Sequence, residues 1–194
     1  MTTAFVIGNG KSRQHLDLNT LRPHGKIYAC NAVYRTFEPD YLVAVDTKMV
    51  SEIDRHKWQH THEVWTNPNK IFEKMHKLNF FEESLGWSSG PTALWLASQH
   101  GPKQIFILGF DYTGKDGGNH FNNIYADTEN YKKSMDGATY HGNWLKQTAT
   151  TIKEHPRINY TRVIAIDNFC PEELNILSNY NTMEMQHFLK IFAI

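Results

Sequence analysis

Short polar residues at the ends of apolar runs are where this sequence can do chemistry. Residues 4–7 run into Gly8-Asn9-Gly10, 26–30 into Asn31, and 41–45 into Asp46. Residues 104–108 run into Gly109-Phe110-Asp111-Tyr112, and 163–166 into Asp167-Asn168. Asparagine amides suit reading a base or a ribose; carboxylates suit hydroxyls or a metal ion. Capping of the next helix and Asx-turns are the competing uses of the same side chains. At the first of these ends, two glycines allow a sharp bend, and Lys11-Ser12-Arg13 places donors behind it. A strand, a glycine turn and donors at its exit is a common phosphate cradle, although this turn is neither G-x-G-x-x-G nor a P-loop. Ser88-Ser89-Gly90-Pro91-Thr92 precedes the apolar stretch 93–97, so Ser89 fits an N-cap with free amides behind it. Gly90 belongs to the same corner. Capping and anion binding both fit there.

The elements that must position these residues alternate. Strand-like runs at 4–7, 26–30, 41–45, 63–66, 104–108 and 163–166 are nearly continuous in apolar residues, as central parallel strands are. Helices are expected at 48–59, 90–99 and 142–154, the last ended by His155-Pro156. This alternation predicts an α/β fold: one Rossmann-like, doubly wound, mostly parallel sheet over residues 1–194. In such a sheet, ligands sit beyond the carboxyl ends of the strands, where the polar residues fall. The glycine-rich, polar stretch 112–140 reads as a lid or mobile segment within the domain.

Composition narrows the classes. The chain has 194 residues, 20 Lys+Arg against 20 Asp+Glu, so nothing marks a nucleic-acid or membrane-surface binder. Cys30 and Cys170 lack metal or redox spacing, which suits a reducing compartment. With no signal peptide and no membrane-length apolar run, the sequence reads as a cytoplasmic protein.

The ordered set VIGNGKS, YACN, WSSGPTALWLA, IFILGFDY and TYHGN resembles the bacterial sialyltransferases of glycosyltransferase family 42, over roughly residues 4–167. The resemblance implies a cytidine-monophosphate (CMP) sugar donor, used without a metal and contacted by Gly8, Asn9, Gly10, Asn31, Ser89 and Gly90. It implies a glycan or small-molecule acceptor, with His141 as the base that takes the acceptor hydroxyl's proton in an inverting transfer. Asp111 would hold the site's architecture or a hydroxyl. Tyr112, Tyr125 and Tyr131 are the candidates for stabilising the phosphate leaving group. His141 stands in the order Tyr-His-Gly, where the family has Tyr-x-Gly-His, and Thr113 stands where it has a tyrosine.

The segment EPDYLVAVD resembles instead the archaeal 6-hydroxymethylpterin diphosphokinase family. That resemblance implies magnesium and ATP, with Asp46 helping to place the metal and the phosphates. A nucleotide at the first turn is common to both. A nucleotide-binding module without catalysis is the third reading.

Other features have plainer uses. His56 and His60 are one helical turn apart but lack a completing Glu, so a solvated surface is the expectation. His120 reads as loop decoration or a lid contact. Trp58, Trp65, Trp87 and Trp95 read as packing, with Trp87 beside the Ser-Gly corner. The tail 183–194 has apolar residues at helical spacing, suited to docking on the body or on a second copy.

Overall fold

The computed structural model describes residues 2–165 and 169–194. Eight strands form one sheet: β1 (Thr3–Ile7), β2 (Lys26–Cys30), β3 (Tyr41–Val43), β4 (Val64–Thr66), β5 (Asn79–Phe80), β6 (Gln104–Leu108), β7 (Asn159–Ile164) and β8 (Tyr180–Glu184). Their order is β5-β4-β3-β2-β1-β6-β7-β8, and every pairing is parallel. Parallel strands must be linked by crossovers, which here include α1 (Thr47–Arg55), α2 (Ser89–Gln99), α3 (Gly142–Glu154) and the four-residue α4 (Glu172–Asn175). A last helix, α5 (Met185–Phe192), follows β8.

Alternation along each strand divides the core into two layers. Phe5, Ile7, Ile27, Ala29, Phe106 and Leu108 pack on one face with Met49, Val50 and Ile53 of α1 and Phe188 of α5. Ala4, Val6, Tyr28, Ile105 and Ile107 pack on the other with Ala93, Leu94 and Ala97 of α2 and Ile152 of α3. Both faces are covered, which is why the central strands read as unbroken apolar runs. The winding direction reverses between β1 and β6, so the ends of these neighbours open a crevice at a topological switch point.

Sequence and structure part at the edges. Strand β7 begins at Asn159, four residues before the expected start, and Ile166 lies outside the described residues, as do Asp167 and Asn168. The early start was hidden by Thr161 and Arg162, polar residues that are nonetheless buried. Strands β5 and β8 were not expected; both are edge strands with mixed polar sequences. Helix α1 stops at Arg55 because Lys57 takes a left-handed conformation (φ 56°), and a 3-10 turn covers 58–60. The tail becomes helical only from Met185, since Met183 belongs to β8.

Residues 113–140 contain no long element. Bridges of His120 with Lys115 and Gly137 close one part on itself. Within the rest, Tyr125 is buried in the α1-side core, and Ile124 and Tyr131 pack against it. This part, residues 121–131, is an arm fastened to the body. No helix among the described residues is long and apolar enough to cross a membrane.

Candidate functional site

A cleft of about 440 Å³ opens at the switch point. Gly8, Asn9, Gly10, Asn31, Asp46, Ser89, Gly90, Asp111, Tyr112 and His141 all line it, together with Trp87 and Trp144. The paired register accounts for the floor. Ile7 pairs with Ala29 on one side and Leu108 on the other. Asn9 and Asn31 are therefore each two residues past a matched pair, and Asp111 is three past its own.

The glycines serve close approach. A Cβ on Gly8 would stand 2.6 Å from the carbonyl oxygen of Gly109, and one on Gly109 would stand 2.7 Å from that of Gly8. Such distances exclude a side chain at either position, and Gly109 also needs its positive φ of 72°. A Cβ on Gly10 would meet the Asp111 carboxylate at 2.5 Å. The bend thus lets two strand ends touch and lets Asp111 reach across the turn.

That reach changes what the turn can bind. Asp111 Oδ2 accepts from the Ser12 amide at 3.1 Å and from Asn122 Nδ2 at 3.0 Å, while Asn122 Oδ1 accepts from the Lys11 amide at 2.9 Å. Arg13 turns inward, its Nε donating to the Gly8 carbonyl at 2.6 Å. The Lys11 and Ser12 amides and Arg13 Nε are thus engaged by the protein itself, while Ser12 Oγ and Arg13 Nη2 are buried without a partner. Three oxygens of the floor residues are in the same condition. Asn9 Oδ1, Asn31 Oδ1 and Asp111 Oδ1 are buried and lack a partner. Asn9 and Asp111 are only 9% and 7% exposed. Asn31 is held at φ 52°, a left-handed conformation that asparagine tolerates better than most residues.

The opposite wall is made of helix ends. Ser88, rather than Ser89, is the N-cap of α2, and its side chain does not cap. Its Oγ accepts from Trp144 Nε1 at 2.6 Å, and its amide donates to Gln147 Oε1 at 3.1 Å, tying α2 to α3. Ser89 is buried, with Oγ accepting from the Val45 amide at 3.0 Å. The first amides of α2 therefore have no side-chain cap. His141 is the N-cap of α3 and likewise makes no capping bond. Two helix N-termini, each with a partial positive charge, reach one cleft.

His141 is half-buried with its ring edge-on to Trp144, centroids 5.0 Å apart. Burial holds its imidazole below the ordinary histidine value, and the charge of Asp111 pulls the other way. The ring is accordingly neutral near pH 7 and able to accept a proton.

The tyrosines separate. Tyr112 is buried at φ 56°, and its hydroxyl pairs with Thr148 Oγ1 at 2.7 Å. The Tyr125 hydroxyl pairs with Thr36 Oγ1 at 2.7 Å. The Tyr131 hydroxyl takes a bond from Asn9 Nδ2 at 3.2 Å. Sequence reasoning missed Asn122, whose side chain locks Asp111 to the turn, and Trp144, which joins the two helix starts. Asn122 stands in an Asn-Asn pair inside the glycine-rich stretch, a signal that loop chemistry alone also produces.

No protein-family model, curated protein or solved structure matches this chain.

The remaining candidates have structural uses. His56 Nδ1 is 3.0 Å from the Tyr34 hydroxyl, and His62 stacks on Trp58 with centroids 4.0 Å apart. His120 Nδ1 is 3.1 Å from Asp116 Oδ2. Phe81 joins Trp65 and Trp95 in one aromatic group. Among the described residues, no group of three His, Cys, Asp or Glu is arranged to hold a metal. Asp46, exposed and making no capping bond, is the carboxylate in the cleft best placed to share a cation with a ligand's phosphates.

Proposed function

We propose that the protein binds a nucleotide-activated donor and transfers part of it, using His141 as the base. One observation carries this reading. The residues lining the cleft include three with a buried, unpartnered acceptor oxygen on the floor and two helix starts without a side-chain cap on the wall. A nucleotide offers the complement, with hydroxyl and amino donors at the nucleoside end and acceptor oxygens at the phosphates. In this reading the nucleoside lies over Asn9, Asn31 and Asp111, and the phosphate faces the start of α2. His141 takes the proton of the acceptor hydroxyl as its oxygen attacks the sugar carbon, and the bond to phosphate breaks. The departing phosphate oxygen develops negative charge, which the uncapped helix ends stabilise. The hydroxyls of Tyr112 and Tyr125 are engaged with Thr148 and Thr36, and that of Tyr131 accepts from Asn9 and the Ala32 amide, so in this reading the helix ends take the role the resemblance gave to tyrosines. The resemblance of the motifs to family 42 supports a CMP-sugar as the donor and leaves the acceptor open.

A second reading, magnesium-dependent diphosphoryl transfer from ATP, has its own support. The lining includes the carboxylates of Asp46 and Asp111 and no lysine or arginine, which suits a polyphosphate that brings a cation with it.

A thermal-shift screen of cytidine, adenosine, guanosine and uridine nucleotides, with and without magnesium, tests both. Stabilisation by cytidine nucleotides in chelator is expected; at a hundredfold excess over Kd it amounts to about 2.7 kcal/mol. Stabilisation only by ATP with magnesium, abolished in Asp46→Asn, selects the second reading. No shift with any nucleotide refutes both.

A further inference from the structure

Outside the cleft, Glu52 of α1 accepts four hydrogen bonds. Its carboxylate is 1% exposed and pairs with Arg35 at 2.6 Å. Oε1 accepts from the Tyr34 hydroxyl at 2.6 Å and Arg35 Nε at 2.7 Å. Oε2 accepts from Arg35 Nη2 at 2.6 Å and from Asn130 Nδ2 at 2.7 Å. Arg35 in turn reaches the arm, donating to Thr128 Oγ1 at 2.8 Å and to the Glu129 carbonyl at 2.9 Å. The guanidinium also lies 5.7 Å from the centre of the Tyr131 ring.

The arm then touches the cleft floor at three points. The Tyr131 hydroxyl takes the bond from Asn9 Nδ2, and the Ile124 amide donates to the Asn9 carbonyl at 2.8 Å. Asn122 holds both Asp111 and the Lys11 amide. Two residues that line the cleft and carry a buried, unpartnered oxygen are thus fixed by one segment. A buried ion pair rarely adds stability over apolar packing of the same volume, so stability alone is a poor account of this one. What it supplies is register: the bidentate fork fixes Arg35 against Glu52, and the two then hold Thr128, Glu129 and Asn130 of the arm by single hydrogen bonds.

We propose that Glu52 is a remote positioning residue: through Arg35 and Asn130 it clasps the 121–131 arm, and the arm sets Asn9 and Asp111 for the ligand. The clasp makes this segment a fixed wall of the site, and loosening it lets the floor oxygens drift while the sheet stays intact.

The test is amide hydrogen exchange by NMR on the full chain, in wild type, Glu52→Gln and Asn130→Gly. Asn130 has φ 67°, which glycine adopts without strain, so Asn130→Gly deletes the link to Glu52 and keeps the backbone. It covers the case in which Glu52→Gln fails to fold. The expected result in Asn130→Gly is exchange about tenfold faster at the Ile124, Lys11 and Ser12 amides, with the β6 amides unchanged, as one lost hydrogen bond gives for local opening. Affinity for cytidine monophosphate should fall by a similar factor; only this readout rests on the nucleotide reading. Unchanged exchange at Ile124, Lys11 and Ser12 overturns the proposal. So does equal acceleration in the arm and in β6, because that marks a general loss of stability. If cytidine monophosphate binds to none of the proteins, the nucleotide reading fails and the exchange rates still decide the clasp.

Discussion

The floor and the helix wall of the cleft are built on opposite plans. On the floor, two polar side chains are held by one atom and keep another unpartnered: Asp111 is anchored through Oδ2 with Oδ1 buried and unpaired, and Asn9 is tied through Nδ2 with Oδ1 in the same state. On the helix wall the side chains are spent on scaffolding, Ser88 on Trp144 and Ser89 on Val45, and the backbone is left to meet the ligand. Side-chain oxygens can be tuned residue by residue. Helix amides cannot, but they bind any phosphate. The contrast suggests that selectivity resides on the floor and affinity for the charged group on the wall, with His141 standing where they meet.

The largest expected effect falls at that meeting point. His141→Ala should lower turnover by roughly 10²–10⁴-fold with nucleotide affinity close to wild type. Because the imidazole is held below its ordinary value, the wild-type rate should fall only on the acid side of about pH 6.5, and the variant should lose that limb. Single-turnover rates and calorimetry across pH check both parts. Parallel losses of rate and affinity would make His141 part of the binding wall instead.

The next largest concerns the support of the floor. Burial opposes charge on Glu52, but hydrogen bonds from Arg35, Tyr34 and Asn130 prevail and hold its carboxyl down to about 2. Its folded value lies below the unfolded one, so the stability it contributes is complete above about pH 4.5 and is lost as pH falls through about 2. The contribution is on the order of 3 kcal/mol. Chemical denaturation from pH 6 to pH 2 should show this slope, and Glu52→Gln should flatten it. An unchanged slope would place the acid sensitivity elsewhere.

Smaller effects separate floor from wall. Asn9→Ala should cost about 1–3 kcal/mol of nucleotide binding, read by calorimetry, with inorganic phosphate binding unaltered. A loss of both would mean that the floor also holds the phosphate. Ser88→Asp works the other side with the smallest effect. A carboxylate at the start of α2 should stabilise the helix by about 0.3–1 kcal/mol while weakening phosphate binding, because it competes for the same amides. Gains in both would show that the α2 start is not the anion site.

How much of this could be read from the sequence differs by element. The central strands were legible because burial on both faces leaves nothing but apolar residues, and β2 and β6 fall on their expected ends. β8 was not, because Tyr-Asn-Thr-Met-Glu at an open edge has no buried face to betray it. Ten of the residues singled out line one cleft because strand ends converge by topology, a property of parallel sheets that needs no side-chain detail, whereas Tyr125 and Tyr131 do not line it. Their individual bonds were hidden. That Asp111 closes the glycine turn depends on a missing Cβ at Gly10 and on Asn122 arriving from the arm, contacts with no pattern along the chain.

The strand order also governs when the protein can take shape during synthesis. β1 leaves the ribosome about a hundred residues before one of its two neighbours, β6, which spans Gln104–Leu108. Until then the middle of the sheet has an open edge, and pairings so distant in sequence form slowly and leave nascent chains prone to sticking together. The cleft lies along that seam, and His141, which lines it, comes later still. A nascent chain halted before Gln104 therefore has five of the eight strands, with β1 left as an open edge, and lacks the stretch that carries Asp111 and His141.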